Sequence, residues 1–381
     1  MGEKLDDAPR AVNRPIALIA LLALLAPVSS CGPSPRPVAP AIENAWPTPL
    51  GSARRAAFEN EIVPDSLDVA WDINAGSGMR SGILVTDSAL FVGTTNRQLL
   101  AFATASGRKH WDQRLEGELG ELVRSGRTLF AATGEWNGRV HARDIERGRS
   151  IWRKNIGPSR NSLLLESGIV YAAADSGQVY ALRSEDGAQI WRTNVRGSIV
   201  MTPVSVGEAL IVATTLDTLY RIAKRDGAIV TRGHIPSSVS APPAVIGDTL
   251  IVPTHSGAVL GVDGTTLQTR WRVDTGAPIL AAPIVDRQNT IHVANRDVAI
   301  WRIRGGTGTK VAQLDGAITS SFTLARERYV VGMMDGTVLV TDLNGRIIAQ
   351  HKFNDTVSAP VSVRGGALYV PLLRGRIVKL Q

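Results

Sequence analysis

The 381-residue chain contains a single cysteine, Cys31, so no intramolecular disulfide can form and no vicinal cysteine pair is available for redox chemistry. Its six histidines, His110, His141, His234, His255, His292 and His351, are scattered without the close spacing that metal ligands require. The sequence has no Gly-x-Ser-x-Gly elbow, phosphate-binding loop, haem-attachment Cys-x-x-Cys-His or EF-hand loop. These absences leave no catalytic site, cofactor site or metal site to assign from local motifs. The one long apolar run, Ile16 to Ala26, is too short to cross a bilayer. An acidic surplus is also missing, since the formal net charge is +8.

What is present is a repeat. Trp71, Trp111, Trp152, Trp191 and Trp271 recur about every forty residues, and Gly107, Gly148 and Gly187 stand four residues before three of them. The phase continues where the tryptophan does not, through Thr231, Ala312 and Ala349, which follow Gly227, Gly308 and Gly345 at the same distance. Eight anchors result, at 71, 111, 152, 191, 231, 271, 312 and 349. A period in this range marks a propeller or solenoid, in which no single unit buries its own faces.

Residues 160 to 194 show the unit. Leu163 to Leu165, Ile169 to Ala173 and Gln178 to Leu182 read as strands, with Asp175-Ser176-Gly177 as a hairpin and Glu185-Asp186-Gly187 turning the chain into a fourth strand around Trp191. The chain ends complement each other. The strand around Trp71 has no three strands before it, and the last unit, from Val357 to Leu380, has three strands and no fourth. The expected fold is all-β, an eight-bladed β-propeller of four-stranded antiparallel blades over residues 66–381, closed by pairing of the N- and C-terminal strands. Repetition then protects the strand edges. The anchor tryptophans are expected to lock one blade to the next, each burying roughly 150 to 250 Å². Thr231, Ala312 and Ala349 then define a softer sector in blades 4, 6 and 7.

Residues 1–30 read as a signal peptide, with Lys4, Arg10 and Arg14 before the apolar run. Val28-Ser29-Ser30-Cys31 resembles a bacterial lipobox, which makes Cys31 the expected lipid-attachment site. Several acyl chains would anchor it stably. The Pro-rich stretch after it makes 31–65 a tether, and Gly32 in place of Asp is compatible with retention at the outer membrane. Within residues 1–30 the three basic residues balance Glu3, Asp6 and Asp7, so the mature chain keeps the net +8. That charge suits an acidic protein partner or anionic envelope surface, and equally a bias in genomic composition.

Ile169 to Leu182 with Asp186 to Trp191 resembles the pyrroloquinoline-quinone-like propeller repeat, over about residues 66 to 381. With a lipobox, a tether, eight blades and Arg346 to Phe353 as a last outer strand carrying Ala for Trp, the chain is similar to the BamB-like lipoproteins of the outer-membrane β-barrel assembly machinery. The resemblance implies a non-enzymatic scaffold without cofactor, a lipid-anchored monomer within a larger complex on the periplasmic face of the outer membrane. Its partner would be the periplasmic domains of the barrel-inserting subunit, with no nucleic acid involved. The resemblance also implies an extended contact loop after the outer strand of the third complete blade. Here Asn194 to Ser198 is short, and only Val195-Arg196-Gly197 matches its apolar-Arg-Gly element.

In a meander the second hairpin of each blade and the connection to the next blade emerge on one face. Arg196 is therefore expected to share a basic face with Arg97, Trp136, Arg139, His255, Arg296 and Arg374. Arg196, Trp136 and Arg139 are the partner-contact candidates, each set against an ordinary solvated or packing role. Trp136 stands out because it lies off the repeat phase, beside the tight turn Asn137-Gly138. Two other readings remain open. One is a ligand-sensing propeller of the envelope, and the other is a quinone-dependent dehydrogenase, whose catalytic members share the repeat but carry longer inter-blade insertions.

Overall fold

A computed structural model describes residues 60–381, except Glu135, Trp136, Arg160 and the side chains of 319–321. The expected Cys31 anchor and Trp136 therefore lie outside the described residues, as does the signal peptide. Thirty-two strands form eight antiparallel four-stranded sheets, and no helix occurs among the described residues. Blades 1 to 7 span residues 84–114, 123–155, 164–194, 204–234, 244–274, 284–313 and 318–352. Blade 8 combines Ser362–Arg364, Ala367–Pro371 and Arg376–Leu380 with Val69–Asn74, in the order that closes the ring.

The strand patterns follow from position. In blade 3 the second and third strands, Ile169–Ala173 and Gln178–Arg183, are buried on both faces and read as continuous apolar runs. The outer strand, Gln189–Asn194, is largely exposed, and Trp191 is its one fully buried side chain. Ala181 pairs with Trp191 and Leu182 with Gln189, so Ile190 is bulged out of register. The same bulge falls immediately before every one of the eight anchors. Threonine and alanine thus occupy the tryptophan register at 231, 312 and 349. A bulge also bends the outer strand and breaks the row of free N–H and C=O groups on the ring's edge.

The glycine and the tryptophan of each Gly-x-x-x-Trp unit serve different interfaces. Gly187 ends its turn at φ +70°, with its N–H donating to the Arg183 carbonyl. A side chain there would start 2.6 Å from Cε3 of Trp152, the tryptophan of the preceding blade. Trp152 in turn donates its indole N–H to the Ser184 carbonyl at 2.8 Å. The pairs Trp71–Gly107, Trp111–Gly148 and Trp191–Gly227 repeat this contact. Their indole N–H groups donate to the carbonyls of Thr104, Ile145 and Lys224 at 3.2, 3.2 and 2.7 Å. Each glycine accepts the ring of the blade before it, while each tryptophan is delivered to the blade after it.

Where the tryptophan is missing, the chain compensates differently each time. After Thr231, the glycine position of blade 5 is Leu267, at φ +59° and only 1% exposed. Its Cβ packs against Gly233 of blade 4, so apolar burial is restored and blade 4 is not simply soft. Beyond Ala312 the blades approach closely, with Gly345 leaving no room for a side chain against the Ala312 Cβ. Ile348 and Ala349 are covered by Val63, Leu67 and Phe353. Trp271 departs in another way, seated on Gly261 of its own blade and touching Gly306 of the next.

Closure is built from both termini. Trp71, Asp72, Ile73 and Asn74 pair with Lys379, Val378, Ile377 and Arg376, and Asp68 and Gln381 exchange backbone hydrogen bonds at 3.1 and 3.0 Å. Residues 60–65, assigned to the tether from sequence, lie against blades 6 to 8: Asn60 meets Arg287, Glu61 meets Arg364, and the Val63 and Pro64 carbonyls meet Arg328.

Two stability predictions follow from these interfaces. Trp152→Ala is expected to cost about 3 to 5 kcal/mol, and Gly187→Ala at least about 1 kcal/mol from its left-handed backbone alone, both read by urea denaturation. Deleting residues 66–75 is expected to lower the thermal midpoint further than Trp152→Ala does, because it removes a whole strand and the ring closure; an unchanged midpoint would refute closure.

Candidate functional site

The eight second hairpins and eight inter-blade connections share one face, and backbone hydrogen bonds stitch them together. Thr95, Gly134, Asp175, Thr215, His255, Arg296, Met334 and Leu373 each donate an N–H to the connection that enters their own blade, at Gly78, Glu118, Pro158, Ser198, Ser238, Pro278, Ala317 and Thr356 respectively. The face is therefore a continuous belt of loops on a rigid ring, a suitable platform for binding residues. Residues 60–65 contact the opposite face, at the first hairpins around Arg287, Arg328 and Arg364.

Arg97, Arg139, Arg196, His255, Arg296 and Arg374 all lie on the loop belt, as their spacing implied, but they do not make a basic field. Arg139 is paired with Glu116, which also holds Arg153 at 2.9 Å, and Arg296 lies 3.6 Å from Asp297. Asp355 accepts the Arg374 N–H at 3.0 Å, and Asp175, Asp217 and Asp335 stand in hairpins of the same face. Interleaved charge replaces the expected basic surface, because acidic residues in these loops cap turns and neutralise neighbouring arginines.

Arg196 differs from Arg139. It is exposed, in the connection from blade 3 to blade 4, with no ion-pair partner among the described residues. The Val195 N–H donates to the Gly177 carbonyl, and Gly197, at φ +90°, sits against Leu216 of the next blade. Leu216 is 57% exposed and Val200 40%. An arginine flanked by exposed aliphatic side chains on fixed backbone has the composition of an interface centre. Sequence reading missed Val200 and Leu216; the signal was an apolar residue, Leu216, at a hairpin tip where polar residues are usual. Met334 and Leu373, one position earlier in the second hairpins of blades 7 and 8, are similarly exposed.

The mouth of the central channel opens on this face as a cavity of 340 Å³. Its polar lining includes Arg80, Glu118, Glu121, Asn161 and Ser162, and Val200 borders it. Arg80 Nε lies 3.2 Å from Glu118, and the Ser162 hydroxyl donates to Glu121 at 2.5 Å. Among the described residues, no three His, Cys, Asp or Glu side chains converge as metal ligands.

Two of the histidines are hydrogen-bonded into the fold. His292 bonds Tyr329 and Asp286 at 2.8 and 3.0 Å, and His351 bonds the Leu67 carbonyl at 3.0 Å. His141, 1% exposed on the third strand of blade 2, has neither ring nitrogen bonded. Burial, then the charges of Arg143, Arg139 and Arg153, push its pKa down to about 4. The unfolded chain takes up a proton near pH 6.5 that the folded chain refuses. The stabilising contribution of neutral His141 is therefore complete above about pH 6.5 and declines as pH falls toward 4. The loss amounts to about 3 kcal/mol. Leu100 and Leu260 hold the same register in blades 1 and 5. His141→Leu is expected to fold and to flatten the thermal midpoint between pH 6.5 and pH 4, measured by calorimetry across that range.

A family model described as outer membrane protein assembly factor BamB matches residues 63–136, 136–266 and 218–381. BamB from Moraxella catarrhalis superimposes with a TM-score of 0.68 at 16% identity, covering 83% of this chain and 99% of that one. The computationally designed protein Ika8 gives 0.71 at 15% identity, with 85% and 99% covered. The quinohemoprotein alcohol dehydrogenase of Comamonas testosteroni gives 0.73 at 11% identity, with 89% and 81% covered. At such identities a designed protein, an assembly factor and a dehydrogenase share the ring alone, so these likenesses establish the fold. A comparison with curated proteins gives no match. The family model spans the whole ring, and the chain belongs to the BamB family of outer membrane protein assembly factors.

Proposed function

We propose that this protein is a non-enzymatic scaffold of the cell envelope that supports outer-membrane β-barrel assembly by docking the periplasmic domains of a barrel-assembly subunit. The family match over residues 63–381 carries the reading. The patch of Arg196, Leu216 and Val200 supplies a surface on which such docking can occur. Its aliphatic groups would lose water on contact, and the unpaired guanidinium would select a carboxylate of the partner. The short connection after Trp191 makes this patch smaller than an extended loop would, so flanking hairpins must share the contact. Trp136, a contact candidate on sequence grounds, lies outside the described residues, and Arg139, on blade 2, remains a candidate that would have to exchange Glu116 for a partner group. Cys31, lipidated after removal of residues 1–30, would hold the ring at the periplasmic face of the outer membrane.

A ligand-sensing reading rests on the channel cavity of 340 Å³, which is at the small end for a ligand pocket. Quinone-dependent dehydrogenation is the other reading, against which stands the near-constant forty-residue spacing, which leaves little room for the inter-blade insertions expected of catalytic members. Affinity capture from solubilised envelopes is expected to recover the barrel-inserting subunit. The pair Arg196→Glu and Leu216→Glu should reduce that recovery at least tenfold without shifting the thermal midpoint. Undiminished capture would remove the patch from the interface, and calcium- and quinone-dependent dye reduction by the purified protein would favour the enzyme.

A further inference from the structure

The interface between blades 6 and 7, on the face opposite the loop belt, encloses a cleft of 1070 Å³. The outer-strand anchor of blade 6 is Ala312 rather than an indole, and its neighbour Val311 lines the space with Leu343. Arg302, Arg304 and Arg326 line it together with Arg287, which Asn60 engages, and Asp286 and Glu327 are the acids of its lining among the described residues. Asp286 is already engaged by His292 and by the Thr290 N–H. Arg302 and Arg304 bond neutral partners, Asn344 at 3.3 Å and Thr290 at 2.6 Å. Three other arginines of the ring are matched to acids instead: Arg270 to Asp248 and Asp263, Arg364 to Glu61 and Asp87, Arg376 to Asp72.

From this contrast we infer that the cleft between blades 6 and 7 is a binding site for a phosphate-bearing anion. Guanidinium groups from separate strands and hairpins approach one space from several directions, together with the hydroxyls of Thr307 and Thr309. That donor arrangement suits a tetrahedral anion with oxygens on every side better than a planar carboxylate. The floor is fixed, since His292 is held between Asp286 and Tyr329. Ile62, Val311, Leu324 and Leu343 add an apolar flank for the uncharged part of the ligand. The chain's own preceding stretch brings no surplus of acid, as residues 50–59 carry Arg54 and Arg55 against Glu59.

Two sources share this chemistry, a soluble phosphate compound and a phospholipid headgroup. Calorimetric titration of the purified full chain with sodium pyrophosphate, and separately with dihexanoyl phosphatidylglycerol below its micellar concentration, distinguishes them. Saturable binding that weakens with salt is expected in at least one titration, and the titration with the tighter binding assigns the source. The double variant Arg302→Gln with Arg326→Gln should lose at least tenfold in affinity, while Arg196→Gln on the opposite face should lose none. Both cleft arginines are at least partly exposed, so the double variant should keep the wild-type thermal midpoint. Absence of binding to both probes at millimolar concentration, or equal loss in the Arg196→Gln control, would overturn the assignment. So would affinity that survives the double variant.

Discussion

The contact of an indole on a glycine of the next blade is the constraint from which the rest of the ring follows. A glycine at positive φ ends the turn into the outer strands of blades 1 to 4, and its bare face is the surface onto which the preceding tryptophan closes. The indole N–H then satisfies a turn carbonyl that would otherwise face the wedge, as Trp152 does for Ser184. Dispersion, hydrogen bonding and backbone conformation are spent at one point, repeated around the ring. The bulge before each anchor sets the tryptophan in register and blunts the outer edge at once.

Departures from that contact distribute the molecule's special features. Leu267 takes over the slot that Thr231 leaves empty, tolerating a left-handed backbone in exchange for burial. The residues before the first strand cover Ala349. Between blades 6 and 7 Ala312 and Gly345 meet directly, and beside that contact Arg302, Arg304 and Arg326 line an open cleft. The two faces of the ring are consequently unlike: one is a hydrogen-bonded belt of loops with interleaved charges and a few exposed aliphatic tips, and the other receives the entering chain and carries the open cleft.

The division bears on function. An assembly scaffold needs a surface that does not rearrange on contact, and the hydrogen bonds from each hairpin to the connection before it supply that rigidity without a large loop. Arg196 is held by Val195 and Gly197 on either side, so its guanidinium is presented from fixed backbone. Arg139, similar in sequence context, is consumed by Glu116. That difference leaves the Arg196 guanidinium the freer of the two.

Periodicity alone determined the architecture. The eight anchors, the four-strand meander and the closure of Trp71 against Ile377 to Leu380 were all legible, because strand alternation and turn glycines are local signals that repeat. Local signals also placed Arg97, Arg139, Arg196, His255, Arg296 and Arg374 on one face. They did not reveal that Glu116 neutralises Arg139, that Leu267 replaces a tryptophan from another blade, or that Val200 and Leu216 flank Arg196. Tertiary structure decided these, since each joins residues from different blades or connections. The strength of a charge or an apolar side chain depends on which neighbour the ring brings within a few ångströms, and no repeat in the sequence encodes that distance.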